Sequence, residues 1–135
     1  MKISGSCLCG AVKYVSTGAI AAAGNCHCLD CRKASGSGYA PSLFVPEDSV
    51  DITGEVRYFE KIGASGKAVH RGFCPNCGSQ CFGKPDAWPG MLAIRAGSLD
   101  DFSVYEAREN LFAGGAPHWD CMDPDLPGFE STPVR

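Results

Sequence analysis

The stretch FCPNCGSQCF, residues 73–82, holds the motif on which the organisation of the whole chain depends. Cys74 and Cys77 form a Cys-x-x-Cys turn followed by Gly78, which is the pattern of a zinc knuckle. The turn points both sulfurs the same way, and a glycine after it tolerates the positive φ that such turns often need. A closed zinc site usually has four ligands, so two more must come from elsewhere in the chain.

A second cysteine pair lies near the N-terminus, in SCLCGA, residues 6–11. Cys7 and Cys9 are two residues apart, and alternate side chains of an extended segment share one face. Both sulfurs can therefore reach one ion. The two pairs together predict a structural zinc site that ties the N-terminal strand to the middle of the chain and contributes directly to folding. Its ligands would be Cys7, Cys9, Cys74 and Cys77. The alternative is that these residues are buried small hydrophobes or a redox pair.

The stretch NCHCLDCRKASG, residues 25–36, carries three further cysteines, Cys26, Cys28 and Cys31. A Cys-x-Cys fused to a Cys-x-x-Cys lets three sulfurs converge where an extended segment enters a short helix. Zinc with three protein ligands keeps a position for water or substrate, which is the catalytic arrangement, and three thiolates suit it to a soft ligand such as a substrate thiolate. Arg32 and Lys33 at the helix start offer positive charge to an anionic substrate.

The residues alone leave open whether a fourth protein ligand closes this second site. His27 lies between two ligands on an extended segment, so we expect it to point away from the metal. We predict that Cys81 is a core residue and ligates neither zinc ion, because a free cysteine commonly behaves as a small hydrophobe. The candidates for a fourth ligand are His27, His70, Cys81, His118 and Cys121.

Composition places the chain among globular proteins with metal sites. Of its 135 residues, 44% are hydrophobic and 20% are charged, which predicts one domain over residues 1–135. Disulfides would use an even number of cysteines, whereas this chain has nine, most of them closely spaced, so we expect metal binding instead. The N-terminus does not read as an export signal, so we expect a reduced, cytoplasmic setting. The absence of a long apolar run argues against a membrane span, and the net charge of −3 argues against nucleic acid as a partner.

The pattern of glycines, prolines and alternating apolar residues predicts a mainly β domain with many short elements. The only segment that reads as a helix is residues 28–35, and the alanine-rich residues 19–24 are too short to decide. The C-terminal tail, residues 117–135, is rich in Pro and Asp and is expected to be irregular. The predicted strands lie within residues 10–18, 38–45, 55–62, 67–74 and 90–99.

Four segments together resemble a known family: GSCLCGAVKY, NCHCLDCRKASG, FCPNCGSQCF and AGSLDD. Over nearly its whole length the chain is similar to the glutathione-dependent formaldehyde-activating enzymes, a family that also includes centromere protein V. The resemblance implies several small coiled antiparallel sheets, called a β-tent, stapled by zinc. It also implies two zinc ions per chain: a structural zinc on the first four cysteines, and a catalytic zinc on Cys26, Cys28 and Cys31 with an open fourth position.

The activity that the resemblance implies is condensation of formaldehyde with the thiol of glutathione to S-hydroxymethylglutathione, with a carbon–sulfur lyase step in reverse. The partners would be glutathione, or another small thiol, and a small aldehyde, with no nucleic acid and no membrane. The carboxylates of the tripeptide could pair with basic side chains, of which Arg32 is the first choice. The others are Lys33, Arg71 and Arg95.

Two other functions compete with this interpretation. The same zinc-stapled fold could serve as a protein-binding module without catalysis. It could also be a thiol redox enzyme related to methionine sulfoxide reductases, with Cys81 or Cys121 as the nucleophile. Both cysteines depart from the family pattern, which has an aliphatic residue at position 81 and is only loosely similar in the tail. Metal content distinguishes the lyase from the redox enzyme, because the lyase would hold two zinc ions per chain and the redox enzyme one zinc ion and two reactive thiols.

Overall fold

The chain folds mainly into β-strands, as the sequence predicts. The computed structural model describes residues 2–132. Within them lie β1 (Ile3–Ser6), β2 (Lys13–Ser16), β3 (Ala22–Cys26), α1 (Leu29–Ser35), β4 (Ala40–Pro46), β5 (Val50–Thr53), β6 (Arg57–Ile62), β7 (Ala68–Phe73), β8 (Gln80–Pro85), β9 (Met91–Arg95) and β10 (Glu109–Leu111).

The strands form two sheets. The small sheet has the order β1-β2-β5 and is antiparallel. The large sheet has the order β10-β3-β4-β9-β8-β7-β6 and is antiparallel except for the parallel pair β10 and β3. The mainly β fold class is therefore confirmed, and each of the five predicted segments contains a strand.

The alanine-rich segment that the sequence left undecided belongs to a strand of the large sheet. In β3, Ala22 and Ala23 are buried, and the strand pairs with β4 on one side and β10 on the other. Alanine favours helices in isolation, but pairing with two neighbouring strands outweighs that small preference.

The hydrophobic core lies between the small sheet and one face of the large sheet. Ile3, Val12 and Tyr14 come from the region of the small sheet, and the ring of Tyr14 meets that of Phe82 edge to face at 5.3 Å. Side chains alternate along each strand, so the residues of the large sheet that do not enter this core point to its opposite face. The core side chains that the large sheet adds are Ala23, Leu43, Val45, Cys81, Phe82, Leu92 and Ile94.

A β-bulge places Cys81 in the core. Gly72 is opposite Phe82 and Phe73 is opposite Gln80, so Cys81 is the extra residue of β8. The bulge lets Cys81 and Phe82 both enter the core, where neither is exposed. The predicted core position of Cys81 is confirmed.

The α-helix α1 is seven residues long and begins at a cysteine cap. The sulfur of Cys28 accepts a hydrogen bond from the backbone N–H of Cys31 at 3.3 Å, so a candidate metal ligand is also the N-cap. Gly36 ends the helix with a φ of 69°, which a glycine adopts without strain. No helix within residues 2–132 is long and apolar enough to cross a membrane.

Candidate functional site

The first cysteine cluster joins the two sheets. Cys7 and Cys9 follow β1, and Cys74 and Cys77 lie in the turn between β7 and β8; all four sulfurs are within 4.8 Å of one another. The sulfur of Cys9 is 3.6 Å from that of Cys7 and 3.8 Å from that of Cys74. Four sulfurs bound at about 2.3 Å to one tetrahedral zinc ion lie about 3.8 Å apart, so the arrangement fits a closed zinc site.

Neighbouring N–H groups support negative charge on the sulfurs of this cluster. The backbone N–H of Val12 donates to the sulfur of Cys7 at 3.2 Å, and the side-chain amide of Asn76 donates to that of Cys9 at 3.3 Å. Donors of this kind favour thiolates over thiols and orient metal ligands. Gly78, after the knuckle, has a φ of 77°, as the motif predicts.

The second cluster brings together Cys26, Cys28 and Cys31. Cys26 ends β3, Cys28 caps α1, and Cys31 lies in its first turn, with the three sulfurs within 4.8 Å of one another. Within residues 2–132, no fourth cysteine, histidine or carboxylate joins the group. The cluster therefore has the donor set of a three-thiolate site.

The proposed fourth ligands lie elsewhere. Cys81 is in the core, where burial raises its pKa to about 12. A thiol with that pKa stays protonated and is a poor nucleophile, which counts against Cys81 as a redox centre. His70 is within hydrogen-bond distance of Asp86, at 3.0 Å. His118 and Cys121 are exposed and belong to neither cluster of the described chain.

His27 points away from the cysteine sulfurs, as predicted, and its ring is fully buried. Its Nδ1 is 2.6 Å from Oδ2 of Asp120, and its Nε2 is 3.1 Å from Oδ1 of Asn110. The amide nitrogen of Asn110 donates to the carbonyl of Asp123, which keeps Oδ1 turned toward the ring. Nδ1 therefore faces a carboxylate and Nε2 faces an amide oxygen, so both ring nitrogens are engaged within the fold and neither faces the cysteine sulfurs.

A cavity of about 1110 Å³ adjoins the second cluster. Its floor is the face of the large sheet opposite the core, built from two rows of paired residues. One row is Gly24, Ser42 and Arg95, and the other is Phe44, Ala93, Gly83 and Arg71. Glycine, serine and alanine leave most of the space above the sheet empty, while two arginines project into it.

Arg32, Arg71 and Arg95 line this cavity, as the predicted role of Arg32 requires, whereas Lys33 is exposed and is not part of its wall. The Nε atoms of Arg32 and Arg71 are buried without a hydrogen-bond partner. Hydrogen bonds from the thiols of Cys26 and Cys28 lower the pKa of Cys31, and the charges of Arg95 and Arg71 lower it further against the opposing effect of burial. The arginines thus lie close enough to the sulfurs to affect their charge.

Comparison with known proteins shows the family. The family model described as "Glutathione-dependent formaldehyde-activating enzyme" matches residues 2–114. The chain belongs to this family. A relative from Halomonas elongata, named "Putative glutathione-dependent formaldehyde-activating enzyme", is 30% identical over 125 residues, covering 88% of this chain and 80% of its own. A crystal structure of a Rhodobacter sphaeroides protein shares the fold, with a TM-score of 0.57 at 16% identity, over 93% of this chain and 99% of the other.

The chain continues beyond the part that matches the glutathione-dependent formaldehyde-activating enzyme model, and this irregular tail packs against the site. The carboxylate of Asp120, in the tail, is within hydrogen-bond distance of His27. Gly38 makes room for this carboxylate, because a Cβ at position 38 would lie 3.1 Å from the carboxyl carbon of Asp120. The backbone N–H of Phe129 in the tail donates to the carbonyl of Asn110 in β10, and the N–H of Asn110 donates to the carbonyl of Pro127, both at 2.9 Å. The last described residues line the cavity: Glu130, Ser131 and Thr132. Sequence reasoning did not find Asp120 or Asn110, because nothing local links them to His27.

Proposed function

We propose that the protein is a zinc-dependent carbon–sulfur lyase that condenses formaldehyde with the thiol of glutathione and catalyses the reverse reaction. The observation that carries this proposal is the three-cysteine cluster. It has no fourth ligand among residues 2–132, adjoins a large cavity, and occurs in a member of the formaldehyde-activating family. A volume of about 1110 Å³ exceeds that of most small-molecule pockets, so a tripeptide and a small aldehyde can enter together.

The two clusters would have different tasks. Cys7, Cys9, Cys74 and Cys77 would hold a structural zinc, and Cys26, Cys28 and Cys31 would hold a catalytic zinc with an open fourth position. When bound, this second ion lowers the pKa of a substrate thiol and holds the thiolate ready for attack. None of the nine cysteines forms a disulfide, which suits a reducing compartment such as the cytoplasm.

The reaction joins the sulfur of the thiol to the carbon of formaldehyde. The S–H bond breaks, an S–C bond forms, and the carbonyl double bond becomes a C–O single bond whose oxygen takes up a proton. His27 is not placed to accept or deliver that proton, because both of its ring nitrogens face Asn110 and Asp120. The proton lost by the sulfur and the proton gained by the oxygen are exchanged with solvent, which balances the step.

The test is metal analysis combined with exchange NMR of carbon-13 formaldehyde and glutathione, which measures the rate above the uncatalysed reaction. We expect two zinc ions per chain. Cys28→Ser should lose about one zinc and the rate enhancement while its circular dichroism stays unchanged, because the first cluster still joins the sheets. The matched control is Cys121→Ser, an exposed cysteine outside both clusters. Full activity in Cys28→Ser would refute the proposal, and unfolding would show that the second zinc is structural.

A further inference from the structure

We infer that Arg71 and Arg95 form a carboxylate-binding site on the floor of the cavity, which selects thiols that carry a carboxylate. The inference rests on the proposed function, since the thiol it describes is the substrate of that reaction. It assigns the recognition of the substrate's anionic group to the sheet face, rather than to the helix on which Arg32 lies.

The register of three strands places the two arginines on the same face of the large sheet. Arg71 of β7 is opposite Gly83 of β8, Gly83 is opposite Ala93 of β9, and Arg95 follows on the same face of β9. A Cβ at Gly83 would lie 3.2 Å from Nη2 and 3.6 Å from Cζ of Arg95. The guanidinium of Arg95 thus lies over Gly83, which has no side chain, on the side toward the strand that carries Arg71.

One of the two arginines is held in a fixed orientation, and the other has unused donors. Nε of Arg95 donates to the side-chain oxygen of Gln80 at 3.2 Å, and its Nη1 donates to the hydroxyl of Ser42 at 2.5 Å. Arg71 is only 7% exposed, and the Nε of Arg71 is buried without a hydrogen-bond partner. Within residues 2–132 no salt bridge joins either arginine to an acidic side chain.

Buried positive charge without a partner is unfavourable, and a bound carboxylate removes that cost. The planar donors of guanidinium groups match the two oxygens of a carboxylate and bind them with paired hydrogen bonds. Burial lowers the pKa of Arg95, the charge of Cys31 raises it and the charge of Arg71 lowers it, so a negative group beside the two arginines would offset their mutual repulsion.

The competing explanation is that the arginines only balance the thiolates of the second cluster. A zinc ion with three cysteine thiolates and the substrate thiolate would carry two negative charges, whereas the three arginines that line the cavity carry three positive charges. One positive charge is therefore left for a carboxylate of the thiol. If the arginines only balance the thiolates, replacing them should change metal affinity but should not change the preference for one thiol over another. Metal affinity and thiol preference therefore distinguish charge balance from carboxylate binding.

The experiment compares glutathione with glutathione diethyl ester, which has the same thiol but no free carboxylate. Each is titrated into the protein loaded with cobalt, whose absorption reports thiolate binding to the metal and not turnover. We expect wild type to bind glutathione at least about tenfold more tightly than the diester, equivalent to about 1.4 kcal/mol. In Arg71→Met the ratio should fall below about threefold. The matched control, Arg57→Met, removes an exposed arginine paired with exposed Glu55 and should keep the wild-type ratio.

Other outcomes overturn the inference. Equal binding of the two thiols by wild type, or an unchanged ratio in Arg71→Met with reduced metal content, would show that the arginines only balance charge. If Arg71→Met does not fold, Arg71→Lys replaces it, and its ratio should fall at least about threefold because an ammonium cannot make paired hydrogen bonds. An unchanged ratio in Arg71→Lys would refute the paired geometry. Failure of glutathione to alter the cobalt spectrum at all would instead refute the proposed function.

Discussion

Replacing Asp120 with alanine tests whether the tail secures the loop that carries the second cluster. The carboxylate of Asp120 lies 2.6 Å from Nδ1 of His27, and the two side chains are 2% and 1% exposed. His27 stands between Cys26 and Cys28 in the sequence, so the position of its ring constrains both sulfurs. Asp120→Ala leaves the imidazole buried with one nitrogen unpaired and removes the anchor of the tail at this point.

The size of the effect follows from how the ring can respond. Removing one partner of a buried ion pair costs about 3–5 kcal/mol when the other charge stays buried. The ring keeps its second partner, Asn110, so the loss in Asp120→Ala is one buried hydrogen bond to a charged group, about 1.5–3 kcal/mol. We expect a decrease in the free energy of unfolding of about 2 kcal/mol, or about 8 °C in melting temperature for a chain of this length.

The assay is urea unfolding of the zinc-loaded protein, followed by circular dichroism near neutral pH. The matched control is Asp125→Ala, which removes an exposed carboxylate of the same tail and should change stability by less than about 0.5 kcal/mol. Release of zinc to a chelator should also be faster from Asp120→Ala than from the control. A decrease below about 0.5 kcal/mol in the free energy of unfolding of Asp120→Ala would refute the role of Asp120 as an anchor, because the loss of a buried hydrogen bond to a charged group costs more than that.

Three further predictions concern the cysteines and the turns. Cys74→Ser should give insoluble or unfolded protein, because a structural zinc is worth about 10–16 kcal/mol and the whole domain only about 5–15; full zinc content with an unchanged melting temperature would contradict the assignment. Cys81→Val should keep both metals and the activity, with a loss in the free energy of unfolding below about 1.5 kcal/mol. Mass spectrometry of the wild-type protein after iodoacetamide treatment should find Cys121 modified and Cys81 unmodified, because Cys121 is exposed and Cys81 is buried. Gly54→Ala should be more destabilising than Gly66→Ala in thermal melts, because both have a positive φ but only the Cβ at position 54 would meet a backbone oxygen, at 2.0 Å; equal melting temperatures would refute this difference.

The parts of the molecule that local spacing determines could be predicted from the sequence. The sulfurs of Cys74 and Cys77, or of Cys28 and Cys31, are brought together by one turn, so their motif is sufficient to group them. The strands β4 and β7 were also predictable, because each lies in a short run that is bounded by glycine and proline residues. The three-residue β10 was not, because its short sequence carries no periodic signal and it forms by pairing with β3.

The parts that depend on distant pairing could not be predicted. His27 and Asp120 are 93 residues apart, and no motif connects them. Arg71 and Arg95 share one face of the sheet only because the register of β7, β8 and β9 sets Gly83 between their strands. Sequence could suggest these arginines as basic side chains, but their burial and their common face depend on strand order.

The two cysteine clusters differ in how much chain each must close, and this difference bears on the order of metal loading during folding. Cys9 and Cys74 are separated by 65 positions, whereas Cys26 and Cys31 lie within a single short segment. Closing the longer loop costs about 2 kcal/mol more in chain entropy than closing the shorter one. If both clusters hold zinc as proposed, the segment from Cys26 to Cys31 would take up the ion while the chain is still unfolded, whereas the first cluster would need the ends of β1 and β7 to come together first.

An ion that binds the unfolded chain as well as the folded one adds little to stability. On the proposed assignment of two zinc ions, excess zinc should therefore stabilise the protein mainly through the cluster of Cys7, Cys9, Cys74 and Cys77, even though both clusters offer the same kind of ligand. Zinc bound early at the shorter segment would also shield three of the nine thiols from oxidation while the nascent chain is still open.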